Sequence, residues 1–181
     1  MAAHAELAEI FGEENIEKMG YREALRTGLS EVDALILSHV GLPKSVGAIF
    51  TTQLKGSPPL FAVRNFDDNG DNRALIIGGP EDDHRMRYFL NVRDGFVGLI
   101  AFHDEPHGEV VNTTLGDFVE FIYRIAQRDI SEQPGSGEEG LQEADMLAAL
   151  LIDRDPHAFR NEDTWWSMAI NRIREHEAGQ A

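Results

Sequence analysis

Two histidines and two carboxylates occupy the segment His103-Asp104-Glu105-Pro106-His107, and side chains of these types can bind a divalent metal ion. A mononuclear site, however, usually takes its ligands from segments that are separated in sequence, and Pro106 stiffens this one. The segment is more typical of a solvated hairpin loop. We therefore expect no metal and no cofactor, and we keep a metal-dependent hydrolase that uses His103, Glu105 and His107 as an alternative.

A second acidic segment, residues 67–71, has a composition similar to that of a calcium-binding loop. An EF-hand loop needs glycine at its sixth position and a bidentate glutamate at its twelfth. Counted from Asp67, those positions hold Asn72 and Gly78, which provide neither feature. The segment is therefore interpreted as an acidic turn.

The residue types needed for covalent catalysis or phosphate binding are missing or badly placed. The chain has no cysteine, which excludes a disulfide framework, a cysteine-based zinc site and a thiol nucleophile. It contains no Gly-x-Ser-x-Gly motif. Gly78-Gly79-Pro80 follows a predicted strand but leads into Glu81-Asp82-Asp83, which would repel a phosphate group. These observations predict a protein that is not an enzyme.

The central part of the chain predicts a hairpin followed by a helix. Met86–Val92 and Phe96–Phe102 are rich in β-branched and aromatic residues, and Asp94-Gly95 between them is typical of a tight turn. From Leu115 onward, apolar residues recur at helical spacing. Thr114 is placed to cap this helix, and Asp117 suits its positive end.

The remaining strands determine the fold class. Further strands are predicted at Ile49–Thr52, Pro59–Val63, Ala74–Ile77 and Val110–Asn112. With the hairpin this makes about six short strands, and no helix-sized crossover separates any of them from the next. We therefore expect one α+β domain over residues 1–181, with a mainly antiparallel sheet and helices packed around it.

Helices are predicted on both sides of the strand region. Ser30 and Asp33 resemble a capping pair, and the apolar stripe that follows ends at Gly41; its members are Val32, Leu35, Ile36 and Val40. Residues 131–140 are polar and rich in glycine, and we expect them to form a mobile loop. Two more helices follow, and Asp155-Pro156 is interpreted as a helix N-cap with proline at the first position.

Net charge is the most informative bulk property. The chain has 32 acidic and 16 basic residues, a formal net charge of −16. Such a field repels nucleic acid and anionic lipid, and it attracts a basic protein partner. Acidity that serves only solubility is the alternative. The absence of a long apolar run, of a signal-peptide pattern and of cysteine leads us to expect a cytoplasmic protein without membrane contact.

The acidic residues are concentrated in predicted loops. If those loops lie at one edge of the sheet, they form an anionic face for a partner; the alternative is a set of dispersed, solvated loops. The candidate partner-binding residues are Asp67, Asp68, Asp71, Glu81, Asp82, Asp83, Asp104 and Glu105.

A series of short motifs carries a family resemblance. In chain order they are Gly41-Leu42-Pro43, Phe50, Leu75-Ile76-Ile77-Gly78, Phe89-Leu90-Asn91-Val92, Gly95-Phe96-Val97, Val111-Asn112-Thr113-Thr114-Leu115, Phe118-Val119, Ile152-Asp153, Asp155-Pro156, Ala158 and Trp166. Their order resembles the SUKH superfamily, in particular its bacterial immunity proteins of polymorphic toxin systems. The likeness extends over about residues 25–170.

The resemblance implies an α+β fold with a curved antiparallel sheet and a protein that binds rather than catalyses. Many members of the superfamily neutralise a cognate toxin, often a nuclease or a nucleic-acid deaminase. We therefore predict an immunity protein that binds a basic toxin domain through its acidic surface. A regulatory or scaffold module of the same fold is the alternative.

Overall fold

The computed structural model describes residues 1–66, 72–102, 107–130 and 137–179. Its α-helices are α1 (His4–Phe11), α2 (Tyr21–Thr27), α3 (Glu31–Leu35), α4 (Leu115–Ile130), α5 (Glu138–Arg154) and α6 (Trp165–Ala178). Its strands are β1 (Ile16–Glu17), β2 (Leu42–Pro43), β3 (Ser45–Val46), β4 (Phe50–Thr51), β5 (Val63–Asn65), β6 (Arg73–Gly78), β7 (Met86–Asn91), β8 (Val97–Ala101) and β9 (His107–Asn112). The fold is α+β, as the sequence predicts.

The principal sheet is a five-stranded antiparallel meander in the order β5-β6-β7-β8-β9. Each strand pairs with its neighbour in sequence, which confirms the prediction of a mainly antiparallel sheet. Two small two-stranded sheets, β1-β2 and β3-β4, precede it.

The antiparallel register shows which residues lie at each end of this sheet. At one end lie Gly78, Met86, Ala101 and His107, and we call it the Met86 end. At the other, the Asn65 end, lie Asn65, Arg73, Asn91 and Val97. The β6–β7 connection is therefore at the Met86 end, and the β7–β8 hairpin turn is at the Asn65 end.

The β7–β8 hairpin forms as predicted. The Gly95 N–H donates to the Asn91 carbonyl at 3.0 Å, and the Asn91 N–H donates to the Phe96 carbonyl at 2.9 Å. Gly95 has a φ of 76°, which glycine adopts without a side-chain penalty. The Asn91 side chain accepts from two further turn amides, so most of the hydrogen bonds of this turn are short-range.

Helix α4 covers one face of the sheet. The Phe118 ring lies 5.1 Å from the Tyr88 ring and 5.5 Å from the Phe50 ring, centroid to centroid. The alternate side chains of the strands lie on the opposite face, where Ile76, Phe89 and Ile100 form a smaller buried cluster. The central strands are buried on both sides, which fits their almost continuous apolar sequences.

Both predicted helix caps are present. The Ser30 hydroxyl accepts from the Asp33 N–H at 3.1 Å and donates to the Asp33 carboxylate at 2.6 Å. The Thr114 hydroxyl accepts from the Asp117 N–H at 3.0 Å and donates to the Asp117 carboxylate at 2.6 Å. In each case the cap residue and its partner are three positions apart, so the interaction can be read from sequence.

The predicted apolar stripe after Ser30 is wrong at two positions. Val32 and Leu35 are 66% and 46% exposed, whereas Ala34 and Leu37 face the core. Helix α3 has five residues and continues as a π-helical turn over Ile36–Val40. Val32 and Leu35 both precede this turn, so the error lies in the choice of the buried face of α3, which carries Asp33 and Ala34 instead.

The predicted strand at Pro59–Val63 is also displaced. Strand β5 covers Val63–Asn65 instead, and a turn occupies the preceding residues. Phe61 has a φ of 59°, which is incompatible with a strand. Its N–H nevertheless donates to the Ile76 carbonyl at 2.8 Å, so the turn stays attached to β6.

A buried polar network fixes the start of α6 against the sheet. The Trp166 indole donates to the Asn112 side-chain carbonyl at 2.8 Å, and the Asn112 amide donates to Asp155 at 3.1 Å. The Asp155 carboxylate also accepts from the Thr113 N–H at 2.8 Å. Asp155 precedes a 3₁₀ turn with Pro156 at its first position, as predicted, but its side chain does not cap that turn.

Candidate partner-binding cleft

An open cleft of about 430 Å³ lies at the Met86 end of the sheet. Helices α4 and α6 form its sides, and it is bordered by residues 46–49, from the end of β3 into the turn before β4, and by Pro80, Asp82, Asp83 and Met86, from the β6–β7 connection into the start of β7. Four segments that are distant in sequence therefore meet around one concavity. We call it the α4–α6 cleft.

The walls of the α4–α6 cleft are mainly apolar. One face of α6 contributes residues at helical spacing, and the facing elements add further apolar side chains; together they are Val46, Ile49, Met86, Ile125, Trp165, Met168, Ala169 and Ile173. Met168 is exposed, although it is a large apolar residue. The Trp165 ring packs edge-on against Tyr88 at 6.0 Å, which fixes its position in the wall.

A buried ion pair joins the two helices within the cleft. The Arg128 guanidinium donates to the Glu177 carboxylate, and little of either side chain is exposed. Arg128 also lies 3.8 Å from an oxygen of Asp129. Because the charge of Arg128 is matched by Glu177, the pair adds little net charge to the cleft. Removing one partner alone would leave a buried charge unpaired.

Three carboxylates line the mouth of the cleft: those of Asp82, Asp83 and Asp129. Asp82 is exposed and makes neither a hydrogen bond nor an ion pair within the described part of the chain. The Asp83 carboxylate accepts from the Arg85 N–H at 2.9 Å and so holds the turn. Burial raises the pKa of Asp129, and Glu177 raises it further, against the opposing effect of Arg128.

Glu81 lies beside this mouth. Its carboxylate accepts from the Ser45 hydroxyl at 3.3 Å, and its N–H donates to the Ala48 carbonyl at 3.1 Å. These contacts join the β6–β7 connection to the β3–β4 turn. The segment that carries Glu81, Asp82 and Asp83 is therefore anchored at Glu81 by the β3–β4 turn and at Asp83 by the Arg85 N–H.

A buried arginine, Arg87, also holds the β6–β7 connection in place. The Arg87 side chain donates to the carbonyls of Pro58 (3.1 Å), His84 (2.7 Å), Met86 (2.8 Å) and Lys55 (2.7 Å). Only 1% of Arg87 is exposed. Burial lowers its pKa, and Asp83 counteracts that effect. Arg87 therefore ties residues 55–58 to the loop that carries the acidic side chains.

The structure brings some of the predicted site residues together and leaves others outside the described residues. Glu81, Asp82 and Asp83 lie side by side at the Met86 end. Strand ends Ala101 and His107, which flank residues 103–106, are at the same end. The strand ends that flank residues 67–71 are at the Asn65 end. Outside the described residues are Asp67, Asp68, Asp71, Asp104 and Glu105.

Two negative observations apply to the described residues alone. No group of three or more histidine, cysteine or acidic side chains is arranged there to hold a metal ion. No helix there combines the length and apolar character that a membrane span requires.

A family comparison agrees with this architecture. The model of the SUKH-4 immunity protein family matches residues 2–172, which is nearly the whole chain. The chain belongs to the SUKH-4 immunity protein family. No curated protein and no solved structure matches it. The predicted resemblance to SUKH immunity proteins is confirmed, and the match covers the cleft of this SUKH-4 protein except for the end of α6 beyond residue 172.

Sequence reasoning did not identify the cleft residues of this SUKH-4 protein on α4 and α6. Trp165, Met168, Arg172 and His176 follow one another at helical spacing, which could have indicated a functional face of α6. The sequence contains no signal for the opposing Asp129, because its proximity to α6 depends on tertiary packing.

Proposed function

We propose that this SUKH-4 protein is a non-catalytic immunity protein that binds a cognate basic toxin domain and neutralises it. The observation that supports the proposal best is the acidic run Glu81-Asp82-Asp83, with Glu81 and Asp82 exposed, beside a largely apolar cleft in a family described as immunity proteins. Apolar surface rimmed by charge is typical of a protein-binding site.

We further propose that the toxin acts on nucleic acid, as a nuclease or a deaminase. Enzymes that bind nucleic acid present positive surfaces to its phosphates. A partner with a net charge of −16 would be steered to such a surface from a distance. Occupying that surface would exclude the substrate without any chemistry by the immunity protein. We place this interaction in the cytoplasm of the producing cell.

The contact surface proposed for the toxin is centred on Glu81, Asp82 and Asp83. The remaining candidates stay a prediction and comprise Asp67, Asp68, Asp71, Asp104 and Glu105. The alternative is a regulatory or scaffold partner. Identifying the partner distinguishes the two hypotheses, and only the toxin hypothesis predicts protection from cell death.

Co-expression tests the proposal. The toxin domain encoded beside this gene should kill a host alone and be tolerated when this chain is co-expressed. Purified protein should abolish its nucleic-acid-modifying activity at a one-to-one ratio. Full toxicity in the presence of well-expressed immunity protein, or inhibition only at large molar excess, would contradict the proposal.

A further inference from the structure

The α4–α6 cleft is a mainly apolar concavity next to the acidic run Glu81–Asp83. Its apolar wall is formed by residues such as Met168 and Ile173, and its open mouth faces solvent beside Asp82. A volume of about 430 Å³ lies within the range of sites that enclose a ligand group. The cleft is therefore large enough to admit a side chain of a partner protein.

The charges of the cleft favour a cation. Arg128 is matched by Glu177, so neither contributes strongly to the net charge. Asp82, Asp83 and Asp129 remain, together with Arg172 and His176 on α6. Asp83 is partly engaged by Arg85 at 3.6 Å and Asp129 by Arg128 at 3.8 Å, whereas Asp82 is exposed at the mouth and makes no ion pair within the described residues. An anion would meet these carboxylates at the entrance and be repelled.

The walls favour a long side chain that carries its charge at the tip. Arginine and lysine bury their aliphatic stems against apolar surface while the charged group remains near polar partners. Met168 and Ile173 offer such a surface. Trp165 also offers an aromatic ring, to which a guanidinium or ammonium group is attracted.

The carboxylate of Asp129 ionises less readily in the cleft than it would in water. Its carboxylate is partly desolvated, which raises its pKa; Arg128 at 3.8 Å opposes this effect, and Glu177 adds to it. A second cation bound next to Asp129 would favour its ionised form. A wholly apolar side chain in the same place would bury the carboxylate further without adding a favourable charge.

We propose that the α4–α6 cleft receives one arginine or lysine side chain of the toxin, which passes Asp82 and Asp129 and packs against Trp165. The inference rests on the proposed function, because it takes the toxin as the partner. It assigns the cleft as the anchor of the complex and the acidic run Glu81–Asp83 as the steering surface around it.

The two tryptophans of the chain provide a built-in test. Trp165 lines the cleft, and its neighbour Trp166 is fully buried and bonded to Asn112. The full-length ¹⁵N-labelled protein would be titrated at low ionic strength with capped Gly-Arg-Gly and Gly-Lys-Gly peptides. Capped Gly-Glu-Gly and Gly-Leu-Gly are the controls, and Trp165→Phe assigns the two indole N–H signals.

The expected result is a saturable shift of the Trp165 indole signal with the arginine and lysine peptides only. The Trp166 signal should stay in place and report that the fold is intact. Replacing Asp82 and Asp129 with asparagine should raise the apparent dissociation constant about fivefold. Asp94→Asn, at the Asn65 end, should change it by less than about twofold.

Three results would overturn the inference: no response of Trp165, an equal response to the glutamate or leucine peptide, or unchanged affinity in the double variant. Failure here is distinguishable from failure of the proposed function. If the toxin binds and is neutralised while Trp165 does not respond, only the cleft assignment is wrong. If Trp165 responds but the toxin is not neutralised, the proposed function is wrong.

Discussion

The indole N–H of Trp166 donates a 2.8 Å hydrogen bond to the side-chain carbonyl of Asn112, and both residues are fully buried. Asn112 ends β9, and Trp166 lies in the first turn of α6. This contact therefore ties the first turn of α6 to the end of β9. The adjacent Trp165 forms part of the cleft wall, so the geometry of the proposed site depends on it.

Asn112→Ala should destabilise the protein by about 2–4 kcal/mol, because it leaves the Trp166 indole and part of the Asp155 carboxylate without partners in the core. Urea denaturation followed by tryptophan fluorescence measures the change. Thr113→Ala is the matched control. Thr113 is exposed and bonds Asp155 through its backbone N–H, which the substitution keeps, so its effect should stay within about 0.5 kcal/mol. Equal effects of both variants would refute this role of Asn112.

Arg87→Lys should cost about 2–3 kcal/mol of stability although it preserves the charge. A lysine cannot reproduce the planar fork that donates to four backbone carbonyls, and those carbonyls would lose their partners. Arg85→Lys, two residues away on an exposed side chain, should change stability by less than about 0.5 kcal/mol. Comparable thermal melting of the two variants would show that the buried arginine is not a structural clamp.

Asp129→Asn should leave the protein at least as stable as wild type at neutral pH. Folding raises the pKa of Asp129, so the ionised carboxylate destabilises the folded state at pH values above this pKa. The lost stability is regained as the pH falls through the folded-state pKa. The advantage of the variant should therefore shrink toward about pH 4. Thermal melts across pH measure it, with Asp94→Asn as the control. A variant that is clearly less stable at neutral pH would show that the ionised carboxylate stabilises the fold.

Local interactions made much of the fold predictable from sequence. The Asp94-Gly95 turn and the Ser30 and Thr114 caps depend on residues within a few positions of one another, and all three form as predicted. Asp155 shows the limit of local rules. It fits a helix cap in sequence, but its carboxylate bonds Asn112, 43 residues away, instead.

The site could be predicted only in part, for the same reason. The run Glu81-Asp82-Asp83 is visible as an acidic loop, and the structure places it at the mouth of a cleft. The cleft itself combines segments separated by tens of residues, and no period or motif indicates their proximity. The buried face of α3, which carries Asp33 and Ala34 and not Val32 and Leu35, likewise depends on tertiary packing.

The most direct test of the central claim is the association rate constant of this protein with its cognate toxin domain, measured by stopped flow over a range of salt concentrations. Electrostatic steering predicts that the rate falls at least about tenfold between low and high salt. Asp82→Lys and Asp83→Lys should each slow low-salt association about fivefold, whereas Asp94→Lys, with the same charge change at the Asn65 end, should stay within about twofold. A rate that is independent of salt, or equal slowing by all three variants, would contradict recognition through the acidic Met86 end.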